Sequence, residues 1–158
     1  MKKEQHTADS IKQRKTAKVL ADAPWKPSLN ISQQEELVKD LLELAACAPY
    51  HYKSAAKYHA SGLDSPLPFR AYTMTSETCR KLAAQLQSMD PPPGKIVNML
   101  WAAEALIMMT WLPDVFGDQP RKREMEPLPF TGNLRNMEHI AASSAAIQNI
   151  LIGATQRG

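Results

Sequence analysis

Three cationic side chains and one hydroxyl lie close together near the N-terminus, in the stretch Arg14-Lys15-Thr16-Ala17-Lys18. If this stretch is extended, alternate side chains point to the same side, so that Arg14, Thr16 and Lys18 share one face. A planar guanidinium, a hydroxyl and an ammonium group are suited to binding the oxygens of a phosphate. On spacing alone, a solvated basic patch explains the same residues better, so both interpretations remain open at this point.

A second set of candidate ligand-binding side chains lies in the long loop that follows Pro49. Its aromatic and titratable members are Tyr50, His51, Tyr52, Lys53, Tyr58 and His59. Aromatic faces stack on planar ligands, and histidine or lysine side chains hydrogen-bond to them. The two histidines have no partners at the spacing of a metal site, so we predict no metal. A partly buried surface loop is the alternative interpretation of this segment.

Several well-defined catalytic motifs do not occur in the sequence. Without GxGxxG, a P-loop or GxSxG, we do not expect a Rossmann dinucleotide-binding protein, a nucleotide triphosphatase or an α/β-hydrolase. Ser143 and Ser144 fall within a predicted helix with no nearby base, so we interpret them as packing residues. The net charge of +3 comes from basic stretches that are not interleaved with aromatic residues, which argues against nucleic-acid binding. The sequence therefore identifies no catalytic residue.

The composition is that of one soluble globular domain spanning residues 1–158. Hydrophobic residues make up 44% and charged residues 22% of the chain, which is typical of such domains. Cys47 and Cys79 lack disulfide or zinc spacing, so we expect two buried thiols in a reducing compartment. No apolar segment of a signal peptide is evident, and the longest apolar run, residues 99–112, contains Glu104 and is too short to span a membrane. These features predict a cytoplasmic protein without a membrane partner.

Apolar residues at helical spacing predict four helices before the C-terminal segment. Their expected starts are Asp9 or Ser10, the capping box Ser32-Gln33-Gln34-Glu35, Ser76 and Lys95. Pro49 is expected to end the second helix, and the fourth is expected to reach about Ala103. Residues 69–74 alternate as a strand does, and the continuous apolar run 105–111 is typical of a buried central strand. Helices and strands in this order predict an α+β or α/β fold.

The C-terminal stretch from Asn133 to Gly158 is predicted to be one long helix capped by Asn133 or Asn136. Its apolar and small residues recur at helical spacing, at Met137, Ile140, Ala141, Ser144, Ile147, Leu151 and Ala154. The other sides also carry small residues, which is typical of a helix packed closely on several neighbours. We interpret this helix either as the core helix of one chain or as a core helix shared with a second subunit.

The order of these features resembles the FMN-dependent nitroreductase family. The resemblance lies in R-x-T-x-K after a short helix, in Ala48-Pro49 at the end of the second helix, and in the strand region Pro68-Phe69-Arg70-Ala71-Tyr72. It continues in the long helix, at Ala146-Ile147-Gln148-Asn149-Ile150-Leu151-Ile152-Gly153-Ala154. The resemblance covers residues 11 to 158, and the order of the motifs is more specific than any one of them.

The resemblance implies an α+β, three-layer fold with a central, mainly antiparallel sheet flanked by helices and a long helix at the core of a homodimer. It also implies an FMN cofactor whose phosphate and ribityl end would be held by the basic stretch. The segment after Ala48-Pro49 would reach the flavin of the partner subunit. The implied cofactor-binding residues are Arg14, Lys15, Thr16, Lys18, Pro49, Tyr50, His51 and Lys53.

By the same resemblance, NAD(P)H would reduce FMN, and electrons would then pass to a small acceptor such as a nitroaromatic or a quinone. The alternative is a non-catalytic scaffold or interaction protein with an incomplete flavin site. The chain has Tyr50, Lys53 and an inserted stretch where the family often has Ser and Asn-Gln-Pro-Trp, so we expect a reshaped pocket. The family also continues past the long helix, so we expect this domain to lack its C-terminal part.

Overall fold

A computed structural model describes residues 7–15, 18–59, 64–114 and 133–157 of the chain. Within these ranges the helices and strands are α1 (Thr7–Gln13), α2 (Ile31–Ala46), β1 (Phe69–Thr75), α3 (Ser76–Gln87), α4 (Gly94–Ala102), β2 (Ala105–Trp111) and α5 (Leu134–Arg157). A short 3-10 turn, Ala56–Tyr58, lies in the loop before β1. The combination of helices with an antiparallel strand pair confirms the α+β prediction at this level.

The two strands form an antiparallel pair whose side chains contact helices on both faces. The register runs from Phe69 opposite Trp111 to Thr75 opposite Ala105. Met74 and Leu106, which are cross-strand partners, pack against a core formed mainly by α3 and α4. On the other face, Phe69 and Met109 pack against small residues of α2 and α5. The sheet therefore lies between two helical layers.

The prediction that residues 105–111 form a buried central strand is right about the strand and wrong about its position. Among the described residues, β2 pairs with β1 alone, and the Met108 side chain is 49% exposed. The run is apolar because both faces of β2 contact helices, although the strand has one strand neighbour in the described chain. Leu106 packs against the α3–α4 side, and Met109 packs against the α2–α5 side.

Three helix starts differ from the predicted caps. The side chain of Asn30 accepts a hydrogen bond from the Gln33 N–H at 2.9 Å, and the Gln33 side chain accepts one from the Asn30 N–H at 3.0 Å. This capping box starts α2 at Ile31, earlier than the box that begins at Ser32 would. Thr75 caps α3 instead of Ser76, and α1 begins at Thr7, before either predicted cap. Neighbouring Asn, Ser and Thr residues are similar cap formers, so contacts made elsewhere decide between them.

Small residues allow α2 and α5 to pack closely. Ala45 and Ala146 are buried in their common core, and a Cβ atom added at Gly153 would collide with a terminal methyl of Leu44. The side-chain amide of Asn149 also donates to the Leu44 carbonyl oxygen at 3.0 Å. As predicted, Asn133 caps α5, because its side-chain oxygen accepts from the Asn136 N–H at 2.8 Å.

Only one side of α5 is buried in the described chain. That side carries Asn136, His139, Ala142, Ser143, Ala146 and Gly153. On the predicted apolar face, Met137 is 58% exposed, Ile147 is 41% exposed and Leu151 is 38% exposed. Ala141, Ser144 and Ala154 on the same face are exposed as well. In a single chain this apolar face is therefore not part of the core.

Two smaller expectations concern the cysteines and the membrane. Cys79 is buried as expected, but Cys47 is exposed at the C-terminal end of α2. Its thiol donates a weak hydrogen bond to the Glu43 carbonyl oxygen at 3.4 Å, because helix geometry places residue 47 one turn after residue 43. Among the helices that the structure describes, none combines the length and the hydropathy needed to cross a membrane.

Gln34 joins the starts of α2 and α3, and we expect Gln34→Ala to lower the free energy of unfolding by about 2–4 kcal/mol. Its side chain is almost fully buried, donates to the Leu29 carbonyl oxygen at 2.8 Å and the Ser76 hydroxyl at 2.9 Å, and accepts from the Ser76 N–H at 2.9 Å. Truncation would leave buried polar groups of both partners unpaired.

The matched control for this substitution is Gln85→Ala, because Gln85 lies on the exposed face of α3. Urea unfolding of both variants would measure the free energies. We expect the control to change stability by less than about 0.5 kcal/mol. A similar small change in both variants would mean that the buried amide network contributes nothing net to stability.

Candidate functional site

A pocket of about 320 Å³ lies between the segment that follows α2 and the middle of α5. Ala48 is buried and its N–H donates to the Ala45 carbonyl oxygen at 3.0 Å, which turns the chain toward α5 at the end of α2. The lining residues are Pro49, Tyr50, His51, Glu138, Ala141, Ala142 and Ala145. Three of the predicted cofactor-binding residues are thus brought together over a floor of alanines.

An imidazole and a carboxylate face each other across this pocket. His51 Nδ1 lies 3.5 Å from Glu138 Oε2, and the two side chains are 80% and 33% exposed. A pair this exposed stabilises the fold by about 0–1 kcal/mol, so its main consequence is the charge it places at the pocket. Sequence reasoning did not assign Glu138 to the site. Its spacing of three and seven residues from Ala141 and Ala145 was the available signal, because those positions share a helix face.

Tyr52 lies outside this pocket and attaches the loop to the start of α5. The Arg135 guanidinium lies 5.2 Å from the centre of the Tyr52 ring, within the range of a cation–π contact. Arg135 also pairs with the Asp114 carboxylate at 3.2 Å. Lys53 is exposed and is not among the lining residues of the pocket, so the structure does not bring this predicted cofactor-binding residue to the site.

The side-chain contacts among Ser54, His59 and Asp64 have the connectivity of a nucleophilic triad. These residues lie in the loop before β1, and their surroundings indicate a structural role. Ser54 Oγ lies 3.0 Å from His59 Nε2, and His59 Nδ1 lies 3.3 Å from Asp64 Oδ1. A triad serine must be exposed to substrate. Ser54 is buried, and its hydroxyl donates to the Ser65 carbonyl oxygen at 3.2 Å. Its N–H donates to the Pro66 carbonyl oxygen at 3.0 Å. We therefore interpret these contacts as holding the two ends of the loop together.

Arg70 holds the same loop against β1. Its guanidinium donates to the carbonyl oxygens of Leu67 and Phe69 at 2.9 Å each, and to those of Tyr58 and Ser65 at 3.2 and 3.4 Å. A planar guanidinium with five donors can satisfy several carbonyls at once, which a lysine cannot do in the same geometry. This contact fixes the C-terminal half of the loop whose N-terminal half lines the pocket.

The segment that leaves β2 is held by α5 and by the loop. The Leu112 carbonyl oxygen lies 2.8 Å from His139 Nδ1, which must carry the proton because a carbonyl oxygen only accepts. The Asp114 N–H donates to the buried Asn136 side chain at 2.7 Å. The Tyr58 hydroxyl donates to the Pro113 carbonyl oxygen at 2.6 Å, and burial, with a smaller contribution from the Asp114 carboxylate, raises the pKa of Tyr58. These contacts join the loop, β2 and the start of α5.

The basic stretch lies at the end of α1, which packs on α5. Ser10 of α1 is fully buried, and the Arg14 N–H donates to its carbonyl oxygen at 2.9 Å. Arg14 is half-buried, whereas Lys15 and Lys18 are exposed. Thr16 lies outside the described residues. The lining of the alanine-floored pocket includes none of these cations, so the two predicted halves of the cofactor site do not form one cavity in a single chain.

Residues 19–28, which we call the strap, follow the basic stretch and are hydrogen-bonded to α4 and to Glu104. The N–H groups of Ala21 and Trp25 donate to the carbonyl oxygens of Asn98 and Trp101 at 3.0 Å each. Farther along, Glu104 accepts hydrogen bonds from the N–H and hydroxyl groups of Ser28. Burial would raise the pKa of Glu104, but hydrogen bonds, above all those from Ser28, lower it overall. The strap therefore limits where the basic stretch can lie.

Comparison of the chain with models of protein families, with curated proteins and with solved structures found no match. The function proposed for this chain therefore depends on its own residues and their geometry.

Proposed function

We propose that the protein is a nitroreductase-like, FMN-dependent oxidoreductase that acts as a homodimer. It would transfer electrons from NAD(P)H through the flavin to a small acceptor such as a nitroaromatic or a quinone. One observation carries the proposal. The pocket lined by Pro49, Tyr50 and His51 lies beside the uncovered apolar face of α5, and Ala141 belongs to both.

The lining of the pocket is suited to a planar ring. Alanine side chains present a flat apolar surface, and Tyr50 and His51 offer an aromatic face and hydrogen-bonding groups above it. The volume of about 320 Å³ is near the lower end of the roughly 300–1,000 Å³ of small-molecule sites. One chain thus offers room for part of a flavin, and the cations proposed to bind the phosphate, Arg14 and Lys18, are not among the residues that line the pocket.

A homodimer built on α5 accounts for this separation. Met137, Ile147 and Leu151 are exposed on one face of α5, and a continuous exposed apolar face of this kind is a candidate interaction surface. A two-fold interface uses the same patch of both copies, so each copy can supply its ring pocket to the phosphate-binding stretch of the other. This arrangement agrees with the family resemblance, in which the segment after Ala48-Pro49 reaches the flavin of the partner subunit.

Each residue has a defined part in this proposal. Bound FMN would supply the hydride and electron-transfer chemistry. Arg14 and Lys18 would neutralise the phosphate, Tyr50 and His51 would orient the ring, and the alanines of α5 would allow its close approach. The protein's contribution is thus positioning and exclusion of water, and no side chain is assigned as a proton donor for the proposed reaction.

The non-catalytic alternative also has a specific observation in its favour. Lys15 and Lys18 are exposed, and the pocket is small for a flavin. A scaffold or interaction protein that retains the fold without a working site would show both features. Flavin binding distinguishes the two functions.

We expect the purified protein to bind FMN and to show the visible absorption of oxidised flavin. FMN should also slow amide hydrogen exchange in residues 50–57, because the ring would cover the segment that lines the pocket. Hydrogen exchange with and without saturating FMN measures this protection. Absence of bound flavin would support the scaffold function, and bound flavin with unchanged exchange would place the ring away from Tyr50 and His51.

A further inference from the structure

We infer that Glu138 makes the ring pocket select neutral or cationic aromatic acceptors over acceptors that carry a carboxylate. The inference depends on the proposed function, because it assumes that the acceptor binds beside the flavin ring in the pocket, next to Tyr50, His51 and Glu138. It concerns the charge of that pocket and so names the class of acceptor that the enzyme would reduce.

The lining of the pocket contains one group that is negative near neutral pH and none that is permanently positive. Among its seven lining residues, Glu138 is the carboxylate and His51 is the one side chain that can carry a positive charge. His51 Nδ1 lies 3.5 Å from Glu138 Oε2, so any positive charge on the imidazole lies beside the carboxylate. While Glu138 is ionised, the pocket therefore offers no net positive charge to an anionic ligand.

The nearest cation on the same helix does not neutralise Glu138. Arg135 is three residues before Glu138, a spacing at which side chains on a helix can pair. Its guanidinium instead pairs with the Asp114 carboxylate at 3.2 Å and contacts the Tyr52 ring at 5.2 Å. Within the described residues, Glu138 is thus paired with His51.

A carboxylate that enters this pocket would meet two unfavourable effects. It would give up part of its hydration against the alanine floor without gaining a cationic partner, and it would be repelled by Glu138. Arg14, Lys15 and Lys18 do not line the pocket of the same chain, and in the proposed dimer the basic stretch of the partner would already be paired with the flavin phosphate. A neutral amide of the same shape avoids both costs and can hydrogen-bond to the Glu138 carboxylate.

The test compares 4-nitrobenzamide with 4-nitrobenzoate, which have nearly the same shape and differ in charge. Binding to the FMN-loaded protein is followed by the NMR signals of the Ala141 and Ala145 methyl groups, and turnover gives KM for each compound. We expect the wild type to prefer the amide by roughly two- to fivefold, the range of an exposed charge pair. The preference should decrease at high salt, because the charges are near the surface.

Glu138→Gln should remove this preference while keeping a side chain of the same size. Glu77→Gln is the matched control, since Glu77 is an exposed helical glutamate paired with Lys81 at 2.7 Å on α3, and it should retain the preference. Binding of both compounds with equal affinity in the wild type, or a preference that survives Glu138→Gln, would overturn the inference and leave the reductase function standing. Methyl signals that respond to neither compound, with no turnover, would overturn the inference together with the proposed function.

Discussion

Replacing Arg14 with alanine is expected to weaken FMN binding by roughly ten- to a hundredfold and to leave riboflavin binding unchanged. Riboflavin has the same ring as FMN but no phosphate, so the difference between the two ligands isolates the phosphate contact. A charge-assisted, bidentate pair contributes on the order of 1.5–3 kcal/mol, which gives this range of affinity. Titration of flavin fluorescence with each ligand measures both constants.

Lys15→Ala is the control for this prediction. Lys15 is exposed and Arg14 is half-buried, so the structure already distinguishes the two neighbouring cations. If Arg14 binds the phosphate and Lys15 does not, the loss of FMN affinity on Lys15→Ala should be several-fold smaller, because a screened surface charge acts weakly. Equal losses at both positions, or equal binding of FMN and riboflavin by the wild type, would identify the basic stretch as a solvated patch.

The strands and the long helix could be predicted because their patterns are local. Alternation in β1 and the apolar run of β2 give the strands to within one residue, and the cap at Asn133 starts α5 as expected. The start of α2 was misplaced although its capping box, Asn30 with Gln33, is a local pattern. The start of α3 was misplaced for a reason that is not local, because the Ser76 hydroxyl and N–H both bond to the Gln34 side chain. Which of several adjacent polar residues caps a helix can depend on such distant partners.

The loop residues of the candidate site could be named from the family resemblance. The residue that the fold brings to the pocket from α5 could not. The resemblance grouped Pro49, Tyr50 and His51 as cofactor-binding residues, and in the structure these three residues line one pocket. Glu138 was missed because its partner His51 lies far away in sequence, so the helix face that Glu138 shares with Ala141 and Ala145 was not connected with the loop. Lys53 is close to His51 in sequence, but it does not line the pocket, and Tyr52 between them contacts Arg135 outside the pocket.

The apolar face of α5 shows how one pattern can have two physical meanings. A buried face and a face awaiting a partner have the same spacing of small and apolar residues, so the sequence could not choose between them. The structure buries the opposite side, with Ala142 and Ala146, and leaves Met137 and Leu151 exposed. In the proposed function, a second copy of the chain would cover this face and complete the flavin site, so loss of the interface should also lower FMN affinity.

Ile147→Glu is expected to convert the dimer to a monomer and to abolish most of its FMN affinity. Ile147 lies near the middle of the exposed face of α5 and is 41% exposed in a single chain, so an added charge there costs the monomer little. In a two-fold interface the substitution occurs twice, and each carboxylate would lose water without gaining a cation. Unpaired buried charges cost about 3–5 kcal/mol, which raises the dimer Kd by more than roughly a hundredfold.

The matched control is Ile96→Glu, because Ile96 is another half-exposed isoleucine but lies on α4, away from the α5 face. Light scattering over a dilution series would give the mass of each variant, and flavin titration would give its FMN affinity. The control should remain dimeric and bind FMN. A wild-type monomer at every concentration would remove the shared site altogether. A monomeric Ile147→Glu variant with full FMN affinity would mean that each chain holds its flavin without help from the other.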